Sequence, residues 1–397
     1  MSPAGREPHL PGHRPTWALV DLDCIRHNVR LYRRMVGESC AVMAVVKADG
    51  YGHGDVPVAR AALEAGASRL GVALVEEAER LRAAGLTAPV HLLFEPPPSS
   101  ARRVVELGLV PSVYTFPYLE ALSREAARLR RRVPVHVKVD TGMHRVGAPP
   151  PEALRLALAA HRDPHLLLEG VYTHFAMASE PGHPFTREQM DVFVRFLEDL
   201  EREGVRPPLR HAAASGAAAA YPETRLEMIR LGIAMYGLLP GEAFRGRLDL
   251  RPALSLRTRI SHLLRVGAEE GISYGLTYRT SRPSWVAVLP LGYADGLRRS
   301  LSNRWEVLIE GKTYPLVGTI CMDLCMVDLG DNFHTPGQEV VVLGGVGEEM
   351  VGTERMASLL GTINYEVVCA IGSRVPRIYR DGDRVFAAEE ADDPAGG

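Results

Sequence analysis

From residue 16 to about residue 245 the chain alternates short apolar runs with longer amphipathic stretches. Residues 17–23 have the apolar, β-branched character of a strand, and within 24–36 Ile25, Val29 and Tyr32 recur at the spacing of one helical face. The pairing then repeats. Strand-like runs at 41–47, 70–74, 90–93, 112–114, 133–139, 166–173 and 209–212 are separated by helix-like stretches at 57–65, 75–84, 102–107, 117–131, 152–161 and 187–203, and 227–236 closes the series. Strands that are apolar on both sides and alternate with helices imply a parallel sheet covered by helices. Roughly eight or nine units predict an α/β fold, a closed (β/α)8 barrel of TIM type rather than an open doubly wound sheet, because no G-x-G-x-x-G follows the first strand.

Near residue 245 the helical period fades. Short strand-like segments follow at 254–266, 285–291, 305–309, 313–317, 325–328, 339–343 and 375–379, and only 353–360 reads as a helix, with Thr353 as its cap and Met356, Leu359 and Leu360 on one face. The expected organisation is a barrel over 16–245 followed by a mainly β C-terminal domain over 246–386. Residues 1–15, rich in proline, are expected to form a mobile arm, and the small acidic stretch 387–397 a disordered tail.

Composition narrows the function classes. With 46 Lys and Arg against 48 Asp and Glu, interspersed, the chain has no basic field to gather nucleic acid or anionic lipid. The first residues lack the continuous apolar stretch of a signal peptide, and the longest uncharged apolar run, 231–239, is far short of the ~18 residues of a membrane span. Five cysteines are few and odd in number, which suits a reducing compartment, so the cytoplasm is expected.

The first chemistry-bearing segment is KADGYGHG at 47–54, directly after the strand-like run at 41–47. In a barrel this is the C-terminal mouth, where such folds carry their chemistry. An amine at the end of an apolar strand is partly desolvated, which disfavours its charge and makes Lys47 a potential nucleophile or base. The octapeptide alone fits equally a solvated lysine followed by a glycine-rich turn.

Further stretches decide the matter. HVKVDTGMHRVG at 136–147, EGVYTHF at 169–175, MIRLGIAMYG at 228–237, SYG at 273–275, GYADG at 292–296, ICMD at 320–323 and NYEV at 364–367 follow in order. Together with 47–54 they resemble the bacterial alanine racemases, pyridoxal-phosphate enzymes of fold type III, over about 16–379. The resemblance implies a homodimer in which each active site combines one subunit's barrel mouth with the other's β domain. It implies pyridoxal 5′-phosphate bonded to Lys47, with Tyr51, Ser215, Gly232, Ile233 and Tyr365 around the phosphate, and Arg230 facing the pyridine nitrogen. His174 is a further cofactor-binding candidate. The substrate carboxylate would fall to Arg145 and the Met322 backbone. Racemisation removes a proton from one face and returns one to the other, so two acid/base groups are required. The resemblance assigns Lys47 to the D-substrate face and Tyr274 of the partner subunit to the L-substrate face. Lys and Tyr ordinarily titrate near ~10.4 and ~10, so both need help from neighbouring cations or desolvation; Arg145, Arg230 and His174 are candidates. Lys138 matches a lysine that many relatives carry as a carbamate orienting the residue at Arg145.

Two positions depart from the pattern. Ala214 stands where relatives usually have Asn before the phosphate serine, and Met177 replaces a small polar residue. Cys321-x3-Cys325 lacks a CxxC pair or a histidine cluster, so no metal is expected. Three readings remain at this point: an alanine racemase supplying D-alanine for peptidoglycan, a related racemase for serine, lysine or a broader range, and a non-catalytic cofactor carrier, which 246–386 and Tyr274 oppose.

Overall fold

In the computed structural model, which describes residues 13–344 and 351–387, the chain divides into two units. One comprises Ile25–Gly50 and Val58–Arg251; the other takes the described residues before Ile25, then Tyr51–Pro57, and those from Pro252 onward.

The first strand, β1 (Thr16–Asp21), belongs to the second unit, and the next eight build the first. These are β2 (Ala41–Val45), β3 (Arg69–Val72), β4 (Val90–Leu92) and β5 (Val110–Val113), then β6 (Val133–Lys138), β7 (Leu166–Tyr172), β8 (Leu209–His211) and β9 (Met228–Leu231). All pair in parallel in the order β8-β7-β6-β5-β4-β3-β2-β9. The sheet then comes round to near closure: Arg230 N–H donates to Ala213 O at 3.0 Å and Glu227 N–H to Arg210 O at 3.2 Å. The expected (β/α)8 barrel is the observed fold. Its helices bury the stripes that periodicity marks: Ile25, Val29 and Tyr32 in Leu22–Val36, and Phe193, Phe196 and Leu200 in Pro184–Arg202. The barrel's interior also encloses His91, Ser112, His136 and His211, all buried. Such groups must find partners inside the protein.

The second unit is mainly β. It contains β10 (Leu254–Arg259), β11 (His262–Val266), β12 (Gly271–Ile272), β13 (Tyr278–Arg279), β14 (Ser284–Leu289) and β15 (Glu306–Ile309). β16 (Lys312–Val317), β17 (Cys325–Gly330), β18 (Glu339–Leu343), β19 (Arg377–Asp381) and β20 (Arg384–Ala387) complete it. Ten strands join in the order β11-β14-β17-β16-β15-β18-β10-β1-β19-β20, while β12 and β13 pair separately.

Several expectations need correction here. The run at 17–23 is no barrel strand: β1 lies antiparallel to β10 and parallel to β19, with Trp17 packed on Ile378 and Ala387. An apolar strand carries no mark of which sheet it joins when its partners lie hundreds of residues away. The run at 254–266 breaks at Ile260 and Ser261 into β10 and β11. A second helix, Asn364–Cys369, accompanies Thr353–Leu360, whose cap position is taken by Gly352 rather than Thr353. The expected tail begins too early, since Ala387 ends β20 opposite Ile378; 388–397 lie outside the described residues. Of the expected arm, 1–12 lie outside them too, and Arg14 is held by Asp295 at 2.9 Å and Arg374 O at 3.0 Å. Among the described residues no helix is long and apolar enough to cross a membrane.

Trp17 anchors β1 on the ten-stranded sheet, so Trp17→Ala should cost about 3–5 kcal/mol of stability. Urea unfolding followed by circular dichroism should show a clearly lowered midpoint; a midpoint within error of wild type would contradict the packing described.

Candidate active site

Lys47 follows β2 at the mouth of the barrel, and the chain after it turns the wrong way. Ala48, Asp49 and Tyr51 have φ of 53°, with Gly50 at 58° and Gly52 at 79°, so Lys47–Gly52 forms a left-handed helical turn. For residues with a Cβ this costs roughly 1–2 kcal/mol each. Glu77 opposes the cost: its buried carboxylate accepts from Ala48 N–H at 2.6 Å and from Ala73 and Leu74 N–H at 2.7 and 3.1 Å. Sequence reasoning had passed over Glu77. An acid in the first turn of Val75–Ala83 reads as an ordinary helix-end charge.

Cations gather around two rings at the strand ends. Lys47 Nζ lies 5.4 Å from the centre of the Phe94 ring, and the Arg145 guanidinium lies 5.9 Å from the same ring. Lys138 Nζ and the Arg230 guanidinium lie 5.1 and 5.2 Å from the Tyr172 ring. The rings offer their negative faces to charges that would otherwise repel. Neither Phe94 nor Tyr172 was singled out from sequence, where a lone aromatic at a strand end reads as core. Burial first, then the Arg230 and Arg145 charges, push the Lys138 amine down from 10.5 to about 7. Burial and the Arg230 charge likewise hold His174 well below the usual imidazole range, so it is neutral.

Arg230, on β9, is 4% exposed and fully engaged at its tip. Nη1 meets His211 Nδ1 at 2.8 Å, and Nη2 meets Thr173 O, Ala212 O and His174 Nδ1 at 2.8, 2.8 and 2.9 Å. Burial lowers its pKa to about 10, which leaves it charged.

Beside it, Ser215 opens the short helix Ser215–Ala220. Ser215 Oγ accepts from Gly232 N–H at 3.1 Å and Ala234 N–H at 3.4 Å, which leaves its own proton to donate. Gly232 and the buried Ile233 thus sit at this serine. Ala214 occupies the cap position and offers no side-chain bond, so the departure there removes a helix cap. The barrel unit therefore brings Lys47, Lys138, Arg145, His174, Ser215, Arg230, Gly232 and Ile233 to its strand ends.

The remaining candidates belong to the second unit. Tyr51 and Tyr365 pack with ring centres 6.1 Å apart, and burial raises the Tyr365 hydroxyl to about 12. Tyr274 and Met322 are 71% and 53% exposed. Their loops are tied together: Ser273 Oγ donates to Thr319 O at 2.6 Å, Thr319 Oγ1 to Tyr274 O at 2.7 Å, and Ala294 N–H to Met322 O at 3.1 Å. Ser273 holds φ of 65°, a strained conformation that aims the tyrosine outward.

Known proteins match both units. Residues 20–240 match the family model described as alanine racemase, N-terminal domain, and 253–379 that described as alanine racemase, C-terminal domain. Over 371 residues the chain is 46% identical to the alanine racemase of Symbiobacterium thermophilum, covering 93% of this chain and 98% of that one. Among solved structures it is similar to the alanine racemase of Bacillus anthracis with bound L-Ala-P, at TM-score 0.89 and 38% identity, covering 95% and 97% of the two chains. It is also similar to the alanine racemase of D-cycloserine-producing Streptomyces lavendulae, at TM-score 0.88 and 40% identity, covering 94% and 98%.

Lys138 makes stability depend on pH. Below about 7 its amine is protonated in both states and the fold bears a buried cation; between about 7 and 10.5 only the unfolded chain holds that proton, so stability rises with pH. In CO2-free buffer the urea midpoint should climb between about pH 7 and pH 9 more steeply for wild type than for Lys138→Met. Parallel slopes would remove burial of the amine as the cause.

Proposed function

The chain belongs to the alanine racemase family, whose reaction interconverts L-alanine and D-alanine, and we propose that it runs this reaction with pyridoxal 5′-phosphate bonded to Lys47. The observation that carries the reading is the gathering of Lys47, Arg145 and Arg230, with the weakly basic Lys138 among them, around Phe94, Tyr172 and His174. Like charges so placed favour anionic ligands, and a cofactor phosphate with a substrate carboxylate supplies them. The donor set fits: an amine, a serine proton directed away from two amides, and a buried guanidinium.

When bound, the cofactor supplies an electron-withdrawing ring that takes up the charge left as the alanine Cα proton departs. Lys47 Nζ exchanges that proton on the D face, and Tyr274 of the partner subunit exchanges it through its hydroxyl on the L face. Ser215, with Gly232 and Ile233 beside it, would donate to the phosphate. Arg230 would hold the ring nitrogen without giving up its proton, because its pKa stays near about 10. His174, neutral beside it, keeps the guanidinium in place. Arg145 and the Met322 backbone of the partner subunit receive the substrate carboxylate.

Lys138 acts as a carbamate. Its amine lone pair attacks CO2, the N–C bond forms, a proton leaves to solvent, and the resulting anion orients Arg145. A buried amine held near about 7 has much of the unprotonated form that this reaction needs. Exposed Tyr274, Leu276, Met322 and Ile363 support a homodimer that covers them. We assign the product, D-alanine, to peptidoglycan synthesis in the cytoplasm.

Spectroscopy, turnover kinetics and carbon NMR check these assignments. The purified protein should show a visible cofactor band that responds to both enantiomers of alanine, and chiral analysis should show interconversion; deuterium exchange at Cα should be faster for alanine than for serine or lysine. Tyr274→Phe should slow conversion of L-alanine by about 10²- to 10⁴-fold, and undiminished turnover would sink the two-base assignment. In ¹³C-bicarbonate, wild type should give a carbamate carbon signal that Lys138→Met lacks; its presence in both would place the carbamate elsewhere.

A further inference from the structure

Glu169 has no opposite number across the β6–β7 pair. The register steps from Val135 opposite Leu168 to His136 opposite Gly170, so Glu169 is the extra residue of a bulge. Bulges re-aim side chains. Here the Glu169 carboxylate lies 3.0 Å from His136 Nε2 and accepts from both terminal nitrogens of Arg69 at 2.7 Å. Arg69 opens β3, four strands from β7 in the barrel order, so the ion pair reaches across the barrel. Gly170 makes room beside it, since a Cβ there would fall 2.5 Å from His136 Nδ1 and Cε1.

The line continues inward. His136 Nδ1 lies 2.8 Å from His211 Nε2, and His211 Nδ1 lies 2.8 Å from Arg230 Nη1. Arg69, Glu169, His136, His211 and Arg230 thus form one unbroken chain of contacts from β3 to β9.

Only one placement of protons satisfies every link. A guanidinium has no acceptor, so Arg230 donates and His211 Nδ1 must be bare. Neutral His211 then carries its proton on Nε2 and donates to His136 Nδ1. His136 in turn carries its proton on Nε2 and donates to Glu169, which as a carboxylate only accepts. The charge states agree. Burial holds both imidazoles below their ordinary range, and bonds from His136 and Arg69 outweigh burial to hold Glu169 at about 2.

We propose that Glu169 is a positioning residue: through His136 and His211 it fixes the proton placement that seats Arg230 against the cofactor's ring nitrogen. This rests on the role given to Arg230 above. Without the carboxylate the chain can reverse. An amide at position 169 can donate to His136 Nε2, which puts a proton on His211 Nδ1, facing an Arg230 N–H donor to donor.

The test is ring ¹⁵N NMR on the full-length holoenzyme labelled with [¹⁵N]histidine, using His136→Asn and His211→Asn only to assign signals. In wild type, His136 and His211 should both be protonated at Nε2 and bare at Nδ1. In Glu169→Gln, His211 should shift toward the Nδ1-protonated form, with kcat/KM for alanine falling about tenfold or more. Glu169→Asp, which keeps the charge, should recover part of both. A wild-type His211 that is doubly protonated or protonated at Nδ1 overturns the proposal even if Glu169→Gln fails to fold. So does a Glu169→Gln enzyme whose His211 signals match wild type. A wild-type protein without the cofactor band defeats the role of Arg230 itself, whereas wrong proton positions defeat the relay alone.

Discussion

A charged guanidinium sealed inside the barrel is the constraint on which the rest of this unit depends. Arg230 survives burial because carbonyls from Thr173, His211 and Ala212 and the bare nitrogens of two imidazoles surround it. Removing one partner from such a group costs several kcal/mol, about 3–5 for a buried ion pair. The acceptors come from the ends of β7 and β8, while Arg230 itself is on β9. That is also the seam of the barrel, where backbone bonds between β8 and β9 are few. The side chain therefore ties β9 to the ends of β7 and β8 across the seam.

The fixed charge shapes its neighbours. Burial first, and then the Arg230 charge, make Lys138 a weak base and keep His174 and His211 neutral. The left-handed turn after Lys47 is the second cost concentrated at this mouth, carried by three residues that have a Cβ. Strain of this kind persists only where the surroundings over-determine it. The Glu77 carboxylate and Gly52 supply that determination; a Cβ at Gly52 would fall 2.5 Å from Val368 O.

Much of this was legible in the chain. The barrel's helices bury Ile25, Val29 and Tyr32 as periodicity requires, because a helix facing a sheet has one dry side. The family resemblance brought Lys47, Arg145, Arg230 and Ser215 forward, and the structure places all four in the barrel unit. The membership of β1 was hidden, because strand pairing is non-local and its partners are β10 and β19. Glu77 and Glu169 were hidden for another reason. Each acts through partners distant in sequence, and a bulge leaves no mark in an apolar pattern.

The barrel's polar interior follows the same logic of limited protons. Ser112 Oγ lies 2.6 Å from both Leu92 O and the Tyr172 hydroxyl. Two oxygens that close need a proton between them, and a carbonyl has none to give. Ser112 therefore donates to Leu92 O and the Tyr172 hydroxyl to Ser112 at the shorter distance, with Leu93 O, 3.0 Å away, a second acceptor for the Tyr172 proton. His91 Nε2, 3.1 Å from Ser112 Oγ, then has no role left but donor. His91 joins His136 and His211 in the Nε2-protonated form, so the three histidines obey one rule. Burial pushes the Tyr172 hydroxyl up to about 12, against the lowering effect of its bond with Ser112, so it stays neutral. A neutral ring keeps its face available, and on that face the Arg230 guanidinium and the Lys138 side chain meet at the mouth of the barrel.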